Sequence, residues 1–158
     1  MSSKNRDLWE RSRKLDCIYA ETNRLYSEVA KSCGLSDCAY WIMYEIEVAG
    51  GAASVRSFVE TSFSSRQTIN SALKTLVAKG LITLDFEAGS HKNKAATFTE
   101  AGREFSRRRI QPAIEAEASA FGTLLPADQD EILRLASSYA AAVRAQLEAL
   151  VAKEAAND

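Results

Sequence analysis

The stretch SSRQTINSALKTLVAKGLI, residues 64–82, decides the fold. Ser64 and Gln67 spell an S-x-x-Q capping box, in which each end of the motif satisfies a backbone N–H that a helix start leaves open. A helix is predicted over about Ser65–Lys79, with Ile69, Leu73, Leu76 and Val77 as its apolar stripe and Gly80 as its stop. Directly behind it, LITLDF (81–86) is rich in residues that favour strands, and AATFT (95–99) is a weaker second strand. The polar EAGSHKNK (87–94) between them reads as the long tip of a β-hairpin. Upstream, about Ser54–Thr61 is predicted as a short helix that buries Phe58 and Val59. The centre of the chain is therefore a helix–turn–helix followed by a hairpin.

Longer helices flank this centre. Leu15, Ile18, Tyr19, Thr22, Leu25, Tyr26 and Val29 recur at helical spacing, predicting a first helix over about 6–32 that stops at Gly34. Ser36 caps a second helix holding Tyr40, Trp41, Tyr44 and Ile46, which ends at Gly50-Gly51. After the hairpin, Thr99 caps a fifth helix, predicted to run unbroken to about Phe121. Pro126 marks the next break. Asp128, Asp130 and Glu131 then offset the dipole of a sixth helix carrying Ile132, Leu135, Ala136, Tyr139, Val143, Leu147 and Leu150. The fold class is mostly α with a small β-hairpin.

Composition bounds the function. The 158 residues are 46% hydrophobic and 26% charged, enough apolar content to fold. No apolar run reaches the roughly 18 residues of a membrane span. The opening MSSKNRDLWERSRK is polar, so neither a secretory signal nor a membrane partner is expected, and the protein is read as cytoplasmic. Three scattered cysteines, Cys17, Cys33 and Cys38, and the single His91 argue against a disulfide framework and against a metal site. With no catalytic triad, metal set or phosphate-cradling glycine loop, neither an enzyme nor a cofactor is expected.

The net charge of −1 hides an uneven distribution. Residues 54–110 carry 10 Lys/Arg against 5 Asp/Glu, whereas residues 111–158 carry 3 against 8. Positive charge concentrates where a polyanion would be met. On the fourth helix, the side opposite the apolar stripe shows Arg66, Gln67, Asn70, Ser71 and Lys74. Arg reads guanine edges, and Gln or Asn reads adenine edges. Ser65, Thr68 and Lys74 suit phosphates, and this face carries no carboxylate. His91, Lys92 and Lys94 give the hairpin tip a cationic end suited to a narrow minor groove. The partner so implied is double-stranded DNA.

These residues support a resemblance. SSRQTINSALKTLVAKGLI resembles the recognition helix and following strand of the MarR family. TEAG, Thr99–Gly102, matches the motif with which that family opens the helix after its wing, and the helix order fits over nearly the whole chain. The resemblance implies a winged helix-turn-helix at residues 35–99. It also implies a helical dimerisation region formed by residues 1–34 and 100–158. The expected protein is a triangular homodimer on a pseudo-palindromic operator, usually a repressor, often released by a small phenolic or other aromatic ligand. The family's DNA-contacting helix start falls on Ser65, Arg66, Gln67, Thr68 and Asn70, with Ser71 and Lys74 one to two turns further. Two departures stand out. Where many members carry D-x-R in the wing, this chain has Ser90-His91-Lys92, so the cation lacks the planar fork of Arg. The turn before the recognition helix reads Ser62-Phe63-Ser64, without the glycine common there.

Other features have two readings. Tyr19, Tyr26, Tyr40, Trp41, Tyr44 and Phe58 suit core packing, and by resemblance they suit an effector pocket, with Tyr26, Tyr40, Trp41 and Tyr44 as its candidate residues. Cys17 is placed as a buried, inert thiol, against a redox-sensing role known in some members. Arg103, Arg107, Arg108 and Arg109 can touch phosphates beside the wing or pair with acidic residues of the last helix across a dimer. The rival to a DNA-binding regulator is a winged-helix module that binds protein instead.

Overall fold

A computed structural model describes residues 2–61, 64–87, 89 and 92–155. The Ser62-Phe63 half of the helix–turn–helix corner and the wing residues Ser90 and His91 lie outside them. The described elements are α1 (Ser3–Ser32), α2 (Asp37–Val48), β1 (Ala52–Ser54), α3 (Val55–Thr61), α4 (Arg66–Ala78), β2 (Ile82–Phe86), β3 (Lys94–Phe98), α5 (Glu100–Arg109), α6 (Gln111–Phe121) and α7 (Pro126–Ala155). Contacts divide the chain into two units, residues 1–113 and 114–158.

The first unit is built around α2. Ala39, Tyr40, Ile42, Met43 and Ile46 are buried there, because the helix meets other elements on most of its circumference. Ile69, Ala72, Leu73 and Leu76 of α4 pack into the same core, with Phe58 from α3 and Ile82, Ala96 and Phe98 from the sheet. Each buried Leu, Ile, Met or Phe among these contributes about 1.5–3 kcal/mol on leaving water. The tail of α1 joins through Ala30, and Tyr26 lies 5.0 Å from the Trp41 ring.

The sheet has three antiparallel strands in the order β1-β3-β2, one more than the hairpin predicted. Ala52, Ala53 and Ser54 pair with Thr97, Ala96 and Ala95. Nothing in the composition of AAS favours a strand; its backbone groups are recruited by the open edge of β3. The hairpin register sets Ile82 opposite Phe98 and Phe86 opposite Lys94, so one face runs from the core outward.

Four expectations are corrected. The cap of α4 is Ser65, whose side chain accepts from the Thr68 N–H, and not Ser64. Val77 is 42% exposed, and Ala72 takes its place in the buried stripe. Residues 100–121 form two helices. Pro112 has no N–H to donate and its ring crowds the carbonyl four residues back, so the helix breaks at Ile110. Cys17 is exposed, because α1 packs on α2 only near its C-terminal end.

The broken junction is anchored. Glu47 of α2 accepts from Ser106 Oγ at 2.6 Å and from Gln111 Nε2 at 2.8 Å, one carboxylate oxygen each. Ser106 is fully buried, so an unanswered hydroxyl there would be costly. In the second unit, Gln129 Nε2 donates to the carbonyls of Phe121 and Leu124 and fixes the turn into α7.

A tighter clasp joins α4, β2 and α5. Gly80, at φ +67°, turns the chain out of α4. Thr99 Oγ1 then donates to the Gly80 carbonyl at 2.6 Å and accepts from the Gly102 N–H at 2.9 Å, while the Thr99 N–H reaches the Leu81 carbonyl. A Cβ on Gly102 would sit 1.8 Å from the Leu81 oxygen. Gly102→Ala should therefore cost about 3 kcal/mol or more, and Thr99→Val about 1–2 kcal/mol, both read as urea midpoints. A Gly102→Ala midpoint equal to the parent's would contradict the close approach.

Candidate nucleic-acid interface

The amphipathic division of α4 builds the site. With Ile69, Ala72, Leu73 and Leu76 turned to the core, Ser65, Arg66, Gln67, Thr68, Asn70, Ser71 and Lys74 are all exposed. The five residues expected opposite the apolar stripe, Arg66, Gln67, Asn70, Ser71 and Lys74, are thus exposed on one helix, with Thr68 in its first turn and Ser65 at its cap. No Asp or Glu occurs in α4. Ser65 and Thr68 also bond to each other through their hydroxyls at 2.8 Å, which ties them to the cap.

The hairpin adds cations beside this face. Lys92 and Lys94 are exposed, and Lys94 Nζ lies 5.6 Å from the centre of the Phe86 ring. That contact holds the ammonium at the edge of the sheet rather than free at the tip. His91 lies outside the described residues.

Three polar residues next to this face, Arg56, Glu60 and Asn93, went unnoticed in the sequence. A groove of about 440 Å3 is lined by Val55, Arg56, Val59 and Glu60 of α3, by Arg66 and Asn70 of α4, and by Asn93 before β3. Arg56 Nε donates to Glu60 Oε1 at 2.7 Å. That hydrogen bond first, and the carboxylate charge second, raise the already high pKa of the guanidinium. Among the described residues Glu60 is thus the one carboxylate of this groove, and it is occupied by Arg56. The signal available beforehand was the i, i+4 Arg–Glu spacing on α3, which alone reads as an ordinary helix surface pair.

The arginines of α5 are partly spoken for. Glu104 accepts from both Arg107 and Arg108, and Arg103 lies 3.9 Å from Glu100. These pairs lie within the helix.

A second cavity, of about 520 Å3, lies between α1, α2, α3 and the start of α4. Of the aromatic candidates, Trp41 and Phe58 line it. Tyr26 and Tyr44 pack against Trp41 at 5.0 and 5.1 Å, and Tyr40 is fully buried in the core. Tyr19 is exposed on α1. Among the described residues, no group of His, Cys, Asp and Glu is arranged to hold a metal ion, and no helix is long and apolar enough to cross a membrane.

No protein-family model matches the sequence, and no curated protein matches it either. Solved structures do match. AbsC, a MarR family transcriptional regulator from Streptomyces coelicolor, superposes with a TM-score of 0.68 at 15% identity, over 92% of this chain and 97% of that one. A MarR family regulator from Listeria monocytogenes, complexed with a 26mer DNA, gives 0.66 at 19% identity, over 83% and 87%. BpsR from Bordetella bronchiseptica, whose DNA binding is regulated by 6-hydroxynicotinic acid, gives 0.61 at 19% identity, over 82% and 91%. At these identities the likeness is one of architecture: this chain has the winged-helix fold of the MarR family transcriptional regulators.

Proposed function

We propose that the chain is a sequence-specific, DNA-binding transcriptional regulator that acts in the cytoplasm as a homodimeric repressor. The observation that carries the proposal is the exposed surface of α4 and its cap: seven polar or cationic side chains from Ser65 to Lys74, no carboxylate, and a lysine-bearing hairpin alongside. An ordinary solvated helix face mixes both signs of charge. The Listeria neighbour complexed with DNA supports the reading.

In this account residues 35–99 are the DNA-binding part, and α4 enters the major groove with Arg66, Gln67 and Asn70 at base edges. Ser65, Thr68, Ser71 and Lys74 hold the backbone, and His91, Lys92 and Lys94 approach the minor groove. Arg56, on the first helix of the pair, flanks the same groove as Arg66.

Residues 1–34 and 100–158 supply the dimer contacts. Ile132, Leu135, Tyr139, Val143, Leu147 and Leu150 recur every three or four residues along α7, and all are 37% or more exposed in the single chain. Leu8, Trp9, Ile18, Tyr19 and Leu25 of α1 are exposed as well. Apolar stripes of this length are covered in stable proteins, and a second copy brings matching ones. Occupancy of an operator by the dimer would block transcription, and a ligand in the cavity beside Trp41 would shift the dimer away from its DNA-binding state.

Arg66→Ala and Gln67→Ala should each lower discrimination between operator and random duplex by about 1–3 kcal/mol. Lys92→Ala should weaken binding to all duplexes alike and reduce the salt slope by about one. Competition titrations at two salt concentrations separate the two effects; unchanged specificity in both α4 variants would refute the base-reading assignment. Sedimentation equilibrium at micromolar concentration should return a dimer, and a monomer there would remove the proposed interface.

A further inference from the structure

The cavity between α1, α2, α3 and α4 has a definite electrostatic character. Its volume of about 520 Å3 falls within the range of small-molecule sites. Trp41, Ile42, Phe58 and Ile69 give it apolar walls, and two carboxylates, Asp37 and Glu45, face it from α2. No Lys, Arg or His lines it among the described residues. Ser62 and Phe63, which follow the lining residue Thr61 in the chain, are uncharged residue types.

The two carboxylates differ. Asp37 stands in the first turn of α2, where the helix dipole favours it, and accepts a 2.7 Å hydrogen bond from Ser27 Oγ. Glu45 lies two turns further along α2, is half-buried, and has no cationic partner among the described residues. A half-buried carboxylate beside an indole face is the arrangement that stabilises an organic cation: the charges attract in reduced dielectric, and the ring quadrupole adds to the attraction. An anion placed there would meet two negative groups and no positive one.

We propose that this cavity binds a lipophilic organic cation, an amine or quaternary ammonium on an aromatic body, with its charge at Glu45 and its ring against Trp41 and Phe58. This deepens the ligand-response part of the proposed function by giving the ligand a charge. It separates this chain from the Bordetella neighbour, whose named regulator is an acid.

The test is isothermal titration of the full chain, without DNA, against three analogues of one shape: naphthylmethyl-trimethylammonium, its uncharged neopentyl isostere, and naphthylacetate. The cation should bind about ten-fold tighter than the neutral analogue or better, with the carboxylate weakest. Glu45→Gln should remove most of that preference, and Glu45→Gln with Asp37→Asn should remove all of it. Circular-dichroism melting confirms that both variants fold. Equal or tighter binding of the neutral or anionic analogue overturns the proposal. So does a cation preference that survives both substitutions, or binding of none of the three. Because no DNA is present, a chain that binds the cation but no operator would fail the regulator reading and keep this one.

Discussion

The structure of the first unit depends on one close approach, that of the start of α5 to the exit of α4. Gly102 lets the α5 backbone come against the Leu81 carbonyl, and Thr99 closes the gap with hydrogen bonds to both sides. This fixes where β2 begins and β3 ends. The hairpin is thereby held at a set place relative to the outer face of α4. A base-reading helix and a groove-reading hairpin are useful only if they meet one duplex together, so the clasp is a condition of the proposed activity as well as of stability.

A second constraint acts through α2. The same helix that fills the core with Tyr40, Met43 and Ile46 lines the cavity with Trp41 and Glu45, and it holds the α5–α6 junction through Glu47. One side of α2 serves both packing and anchoring, since Glu47 follows Met43 by one turn and Tyr40 by two, and the side with Trp41 and Glu45 lines the cavity. A rigid helix cannot move one of these sides without moving the other. A ligand bound beside Trp41, as proposed, would act on the junction through α2.

Much of this was legible in the sequence because local chemistry and tertiary structure agree along the buried stripe of α4, at its exit and at the start of α5. The spacing of Ile69, Leu73 and Leu76, the stop at Gly80 and the TEAG segment each have a single structural meaning, and the structure shows the atoms behind them. The misreadings have physical reasons. Ser64 and Ser65 are both competent caps, and only the helix start decides between them. Pro112 breaks a helix whose flanking residues are good helix formers. β1 exists because β3 has an open edge, not because AAS favours a strand. The aromatic residues of α1 and α2 were visible, but which of them face a cavity depends on the packing of four helices, and so Trp41 and Phe58 line it while Tyr40 fills the core. The acidic lining was hidden for the same reason: Asp37 and Glu45 look like ordinary surface residues until the packing of α1, α3 and α4 against α2 leaves a cavity that both of them line.

The central claim is that the α4 face and the hairpin recognise DNA. Fluorescence anisotropy of the full chain against a duplex library that includes the promoter region next to its gene, at two salt concentrations, tests it most directly. The account predicts nanomolar binding to a pseudo-palindrome with half-sites about 10–10.5 bp apart, falling steeply with added salt. Equal, weak affinity for every duplex at both salt concentrations would contradict it.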